Sequence, residues 1–103
     1  MKKLALTLIL SISTFSLFSE VHTVQMLNAG KEGMMVFEPA VITIKKGDTV
    51  KFIATDMSHN SSSVDGMIPD GAEPWIGGMS QDVEVTLSKE GVYVYQCTPH
   101  NMM

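Results

Sequence analysis

Cys97 is the sole cysteine of the chain, and it stands three residues before His100 in the segment Tyr95-Gln96-Cys97-Thr98-Pro99-His100-Asn101-Met102-Met103. A second imidazole lies far upstream in Met57-Ser58-His59-Asn60. Two imidazoles, one thiolate and a weak thioether are the donors of a type 1 copper electron-transfer site. The thiolate stabilises Cu(I), imidazole serves both oxidation states, and a long axial sulfur tunes the potential. Each residue alone has a plainer role. A single cysteine at a strand end is usually a small buried hydrophobe, and methionines usually fill a core. What points to a metal is the combination: a strand running into Cys97, then proline, His100 and methionines, with His59-Asn60 after an earlier strand.

Two neighbours of these donors carry consequences. Pro99 has no N–H, so it cannot donate a hydrogen bond to the Cys97 sulfur. Fewer donors to a thiolate lower the potential of the copper it binds. Asn60, next to His59, has the side chain to pin the ligand loop from outside.

Other chemistry is less well served. Cys97 as a nucleophile with His100 as its base would sit in a proline-containing loop with no oxyanion site in view. Asp70 and Glu73 lie in a Gly/Pro loop without a nucleophile or base nearby, and read as solvated surface. His22 reads as a structural or solvent-exposed residue of the first strand. No enzyme activity is expected. A copper-binding or metallochaperone protein is the alternative to an electron carrier. The nine methionines favour it, but they form no tight Met-x-x-Met array.

The elements that must position the donors are short. Val21–Leu27, Met35–Phe37, Val41–Lys45, Thr49–Thr55, Val83–Leu87 and Gly91–Gln96 are β-branched or aromatic runs separated by turn residues such as Lys46-Gly47-Asp48. Between residues 56 and 81 glycines and prolines predict loops with room for one helical turn. Strands this short and this regularly punctuated predict an all-β sandwich. No closing strand follows Cys97, so the expectation is a domain over 20–103 whose final strand has been cut away by C-terminal truncation.

Residues 1–19 read as a secretory signal: Lys2 and Lys3, then an apolar run to Phe18, with cleavage after Ser19 or, in competition, after Ser16; an uncleaved N-terminal anchor is the alternative reading. An exported protein usually pairs its cysteines, so an unpaired Cys97 is free, intermolecular or bound to something. Setting aside Lys2 and Lys3 leaves five lysines against eleven acids, a net charge of −6 for residues 20–103. That surface argues against nucleic acid or an anionic membrane as partner. With 103 residues the chain makes one domain, and a monomer is expected.

At these residues the chain resembles the cupredoxins, and among them the pseudoazurins, over nearly all of 21–103. The matching stretches are Gln25–Asn28, Met35–Pro39, Lys46–Val50, His59-Asn60, Gly66–Glu73, Gly91–Tyr93 and Cys97–His100. The resemblance implies a Greek-key β-sandwich in the periplasm, holding one copper ion and shuttling single electrons. It implies His59, Cys97 and His100 as ligands, Asn60 outside them, and Met35 near the exposed histidine. Electrons would pass through His100 within an apolar patch of Met34, Met35 and Met102. Redox partners such as copper nitrite reductase or a c-type cytochrome are implied. Pseudoazurins place the axial methionine five residues beyond the second histidine, at a position 105 past the end of this sequence. Amicyanins place it three beyond, which gives Met103. A pseudoazurin lysine ring around the patch is weak here.

Overall fold

The structure, a computed structural model, describes residues 19–103 and folds them into six strands in two sheets. The expected leader, 1–19, falls almost wholly outside the described residues. The strands are β1 Val21–Gly30, β2 Gly33–Glu38, β3 Thr49–Ile53, β4 Ser62–Ser63, β5 Val83–Thr86 and β6 Tyr95–Gln96. The larger sheet runs β2-β1-β3-β5, with β1 parallel to β3 and the other neighbours antiparallel. A second sheet pairs β4 with β6, antiparallel. No helix occurs among the described residues, so the expectation of an all-β sandwich holds.

Alternation explains which residues meet between the sheets. Val24 and Met26 of β1, Phe37 of β2, and Val50 and Phe52 of β3 are buried, with Cys97 among them. Phe52 is the centre of an aromatic cluster. Its ring centroid lies 4.9 Å from Tyr95, 6.0 Å from Phe37 and 6.1 Å from Trp75. Tyr95 comes from the second sheet, so this cluster joins the layers in the same core that holds Cys97, two residues further along the chain.

Two expected strands are corrected. Val41–Lys45 keeps its predicted faces, with Ile42 and Ile44 packed on the core and Val41 and Thr43 outside. It joins no ladder among the described residues. Alternation dictates which face is buried, not whether a strand edge is available to pair with. Gly91–Gln96 contributes only its last two residues to a strand. Before them the backbone bonds to a loop instead: Val94 N–H donates to Met67 O at 3.0 Å, and Val64 N–H to Val94 O at 2.9 Å. Gly91, at φ 140°, lies so close to Pro69 that a Cβ would come within 2.6 Å of the ring.

The serine run after Asn60 was expected as loop and instead supplies β4. Ser61, Ser62 and Ser63 are all buried, which their hydroxyls tolerate because Trp75 satisfies them. Trp75 donates from its indole Nε1 to Ser61 Oγ at 3.0 Å and from its backbone N–H to Ser63 Oγ at 2.9 Å.

At the opposite end of β1, the buried Asp48 gathers three donors. Glu20 N–H reaches Oδ1 at 3.0 Å, while Lys45 N–H at 3.2 Å and His22 Nε2 at 2.9 Å reach Oδ2. His22 is therefore structural, as one of the two sequence readings had it. The Glu20 amide first, then His22, hold the Asp48 carboxyl below the ordinary carboxylate range. A depressed carboxylate stabilises the fold fully above its unfolded pKa, and that contribution fades as pH falls through the folded value. Asp48→Asn should therefore be less stable near neutrality and should lose stability less steeply towards acid. Urea unfolding at stepped pH checks this.

Candidate metal centre

Three segments bring the donors together. His59 follows a Ser58 in left-handed conformation, φ 72°, and Ser80 opposite is also left-handed, φ 58°. The two serines lock their loops: Ser58 N–H donates to Ser80 Oγ at 2.8 Å, and Ser80 N–H to His59 O at 2.7 Å. Strand β6 delivers Cys97, and a tight turn follows in which His100 N–H donates to Cys97 O at 3.1 Å. A second turn of the same span brings Met103 N–H to His100 O at 2.8 Å. Turns that return every three residues set 97, 100 and 103 near one another.

The geometry fits one ion. Cys97 Sγ lies 3.7 Å from His59 Nδ1 and 3.5 Å from His100 Nδ1. Bonds of about 2.3 Å to sulfur and 2.0 Å to nitrogen, opened to trigonal angles, would separate the two donors by about 3.7 Å. The ring centroids of His59 and His100 are 5.0 Å apart. All three donor atoms fall within 4.8 Å of one another. Met103 is half-buried and packed against the core cluster that includes Cys97. Cys97 and His59 are fully buried, whereas His100 is only partly covered.

His59 is held in the tautomer a metal needs. Its Nε2 lies 2.7 Å from Asn28 Oδ1, an atom that only accepts, so Nε2 carries the proton and Nδ1 keeps its lone pair towards the sulfur. Burial, and then the nearby His100, push the His59 pKa down, which also favours the neutral ring. Asn28 was not singled out in the sequence reading. It sits near the end of β1, 31 positions from His59. No local spacing signals such a pair; only the paired strands bring it about.

Asn60, by contrast, acts as expected. Its Oδ1 accepts from Thr98 N–H at 2.7 Å, and its Nδ2 donates to Thr98 Oγ1 at 3.0 Å and to Gly77 O at 3.1 Å. One buried side chain thus ties the His59 loop, the Gly77 loop and the Cys97 loop together. The close approach leaves no room at Gly77, where a Cβ would lie 2.8 Å from Ser61 O. Asn60→Ala strands the Thr98 amide and the Gly77 carbonyl, at a cost of about 1–3 kcal/mol. Metal affinity should fall roughly 10–100-fold, as when an outer partner of a ligand is lost. Copper competition titration and a lowered urea midpoint check both effects.

The other singled-out residues fall elsewhere. Asp70 and Glu73 are exposed in their loop. Met34, Met35 and Met102 are exposed, at 72, 38 and 96%. Met57 and Met79, each preceding a left-handed serine of the locked pair, are exposed as well.

Comparison with known proteins agrees with this geometry. Residues 24–103 match the family described as copper binding proteins, plastocyanin/azurin family. A pseudoazurin of Methylorubrum extorquens is 44% identical over 100 residues, covering 96% of this chain and 68% of its own length. A putative pseudoazurin of Rhizobium leguminosarum bv. viciae is 46% identical, covering 91% of this chain and 62% of its own. Among solved structures, a pseudoazurin from Sinorhizobium meliloti superposes with a TM-score of 0.77 at 52% identity, over 79% of this chain and 65% of that one. The chain thus spans about two thirds of the length of the relatives it matches. The Greek-key cupredoxin sandwich expected from the resemblance holds. The chain belongs to the plastocyanin/azurin family of copper-binding proteins, the cupredoxins, and its cofactor is copper.

Proposed function

We propose that the protein is a periplasmic carrier of single electrons, with one copper ion held by His59 Nδ1, Cys97 Sγ and His100 Nδ1 and with Met103 as the weak fourth donor. The observation that carries this reading is the convergence of one buried sulfur and two imidazole nitrogens at 3.7 and 3.5 Å. Copper supplies the one-electron couple. The protein supplies a donor set held by Asn28, Asn60 and the serine lock, so little has to move when the charge changes. Of the two imidazoles and the thiolate, His100 alone is partly exposed, which makes it the exit for the electron.

The domain is read as residues 20–103, released from a leader at 1–19. The leader supports a periplasmic location; among the described residues no helix is long and apolar enough to cross a membrane. Redox partners of the copper nitrite reductase or c-type cytochrome class fit a carrier docking through the exposed methionines 34, 35 and 102. Of the five lysines of 20–103, Lys45, Lys46 and Lys51 lie near the far end of the sheet, beside Asp48 and the start of β3. An apolar contact without a charged ring is weakly screened by salt. Stopped-flow oxidation of the reduced, copper-loaded protein by such a partner should be fast and nearly independent of ionic strength. A copper-loaded protein that stays reduced in the presence of either partner class would remove the carrier reading.

A further inference from the structure

We propose a second copper(II) site, at the amino terminus that leader removal creates, built from the α-amino group of Glu20, the backbone nitrogens of Val21 and His22, and the His22 imidazole. It rests on the leader reading above, with cleavage after Ser19. Cleavage there makes histidine the third residue of the mature chain, Glu20-Val21-His22. A free amine, two amide nitrogens and an imidazole from three consecutive residues close three fused chelate rings around a square plane. Copper(II) and nickel(II) favour that geometry. The ion takes the place of the amine's bonding proton and the two amide protons, which pass to solvent, and no oxidation state changes.

The structure prepares this end of the chain for it. The chelate uses His22 Nδ1 and leaves Nε2–H free. Nε2 already lies 2.9 Å from Asp48 Oδ2, the carboxylate partner that metal-bound histidines characteristically have on their second nitrogen. Glu20 N lies 3.0 Å from Asp48 Oδ1, so the same buried carboxylate receives the new amine. Glu20 Oε1, 3.9 Å from His22 Nε2, adds negative charge beside the site. Val21 is exposed and, with His22, forms the end of the β1–β3 ladder opposite Thr49 and Val50, so only the open end of the ladder must part. Asn28, the contact to His59, is six residues further along β1, about 20 Å away at strand rise, so the two sites are separate.

The test is a copper(II) titration of the exported protein, its N-terminus read by intact mass. The mass should begin at Glu20. The first equivalent should give the intense thiolate-to-copper band, and a second equivalent should give a weak ligand-field band with square-planar EPR. His22→Gln, or one alanine added ahead of Glu20, should weaken the second binding at least 100-fold and leave the first intact. Asp48→Asn should weaken it by roughly 10–100-fold. A mass that begins elsewhere, saturation after one equivalent, or a second binding unaffected by His22→Gln would overturn the proposal. An absent intense band with intact second binding would instead count against the electron-transfer centre alone.

Discussion

Cys97→Ser should abolish the intense visible absorption of the copper-loaded protein and its electron-carrier activity while leaving the sandwich folded. The absorption arises from charge transfer between a thiolate and copper, and the chain has no second cysteine to substitute. Cys97 is completely buried, and its side chain meets the core on one side and two imidazoles on the other. A serine hydroxyl is smaller and can donate to either Nδ1, so the fold loses little. Copper affinity should drop by more than the roughly 10–100-fold that losing an outer partner costs, because a donor itself has gone. Absorption spectra, far-UV circular dichroism and copper competition, measured together, separate these effects. Retention of the intense band in the variant would exclude Cys97 as the source.

Phe52→Ala should be the most damaging single change to the fold. Phe52 is 1% exposed and packs against the rings of Phe37, Tyr95 and Trp75, so it ties both sheets to the segment between β4 and β5. Truncating a buried phenylalanine costs about 3–5 kcal/mol, through lost transfer energy and an unfilled cavity. Domains of this size are stable by only about 5–15 kcal/mol in all. The urea midpoint should collapse with an unchanged slope, and copper should partly restore it, since binding to the native state alone adds stability. A midpoint within a few tenths molar of the parent would show that the aromatic cluster is not the keystone of the sandwich.

Much of the site was legible in the sequence, for a local reason. Cys97, Pro99 and His100 are close along the chain, and a three-residue return needs no knowledge of tertiary structure. Asn60 was legible because it adjoins a donor. Asn28 was not, since its approach to His59 depends on how β1 lies beside the loops. The fold class followed from strand punctuation, yet the boundaries of two strands did not. Val41–Lys45 has the right alternation and joins no ladder among the described residues, and Val94 makes its backbone hydrogen bonds to the Val64–Met67 loop. Ser61–Ser63 misled in the other direction: hydroxyls buried against Trp75 look, in sequence, like a solvated turn.

Charge tells a similar story at two scales. Net charge could be read from counts, but the concentration of Glu20, His22 and Asp48 at one end of β1 could not. Asp48 stands 26 positions beyond His22, just ahead of β3, and the parallel pairing of β1 with β3 brings it to the Glu20-His22 end of β1.

The most direct check on the copper centre is X-ray absorption fine structure of the loaded protein in both oxidation states. Two nitrogen ligands and one short sulfur at a single copper, changing little in length on reduction, is the expected result. A copper shell of nitrogen and oxygen alone, without sulfur, would contradict it.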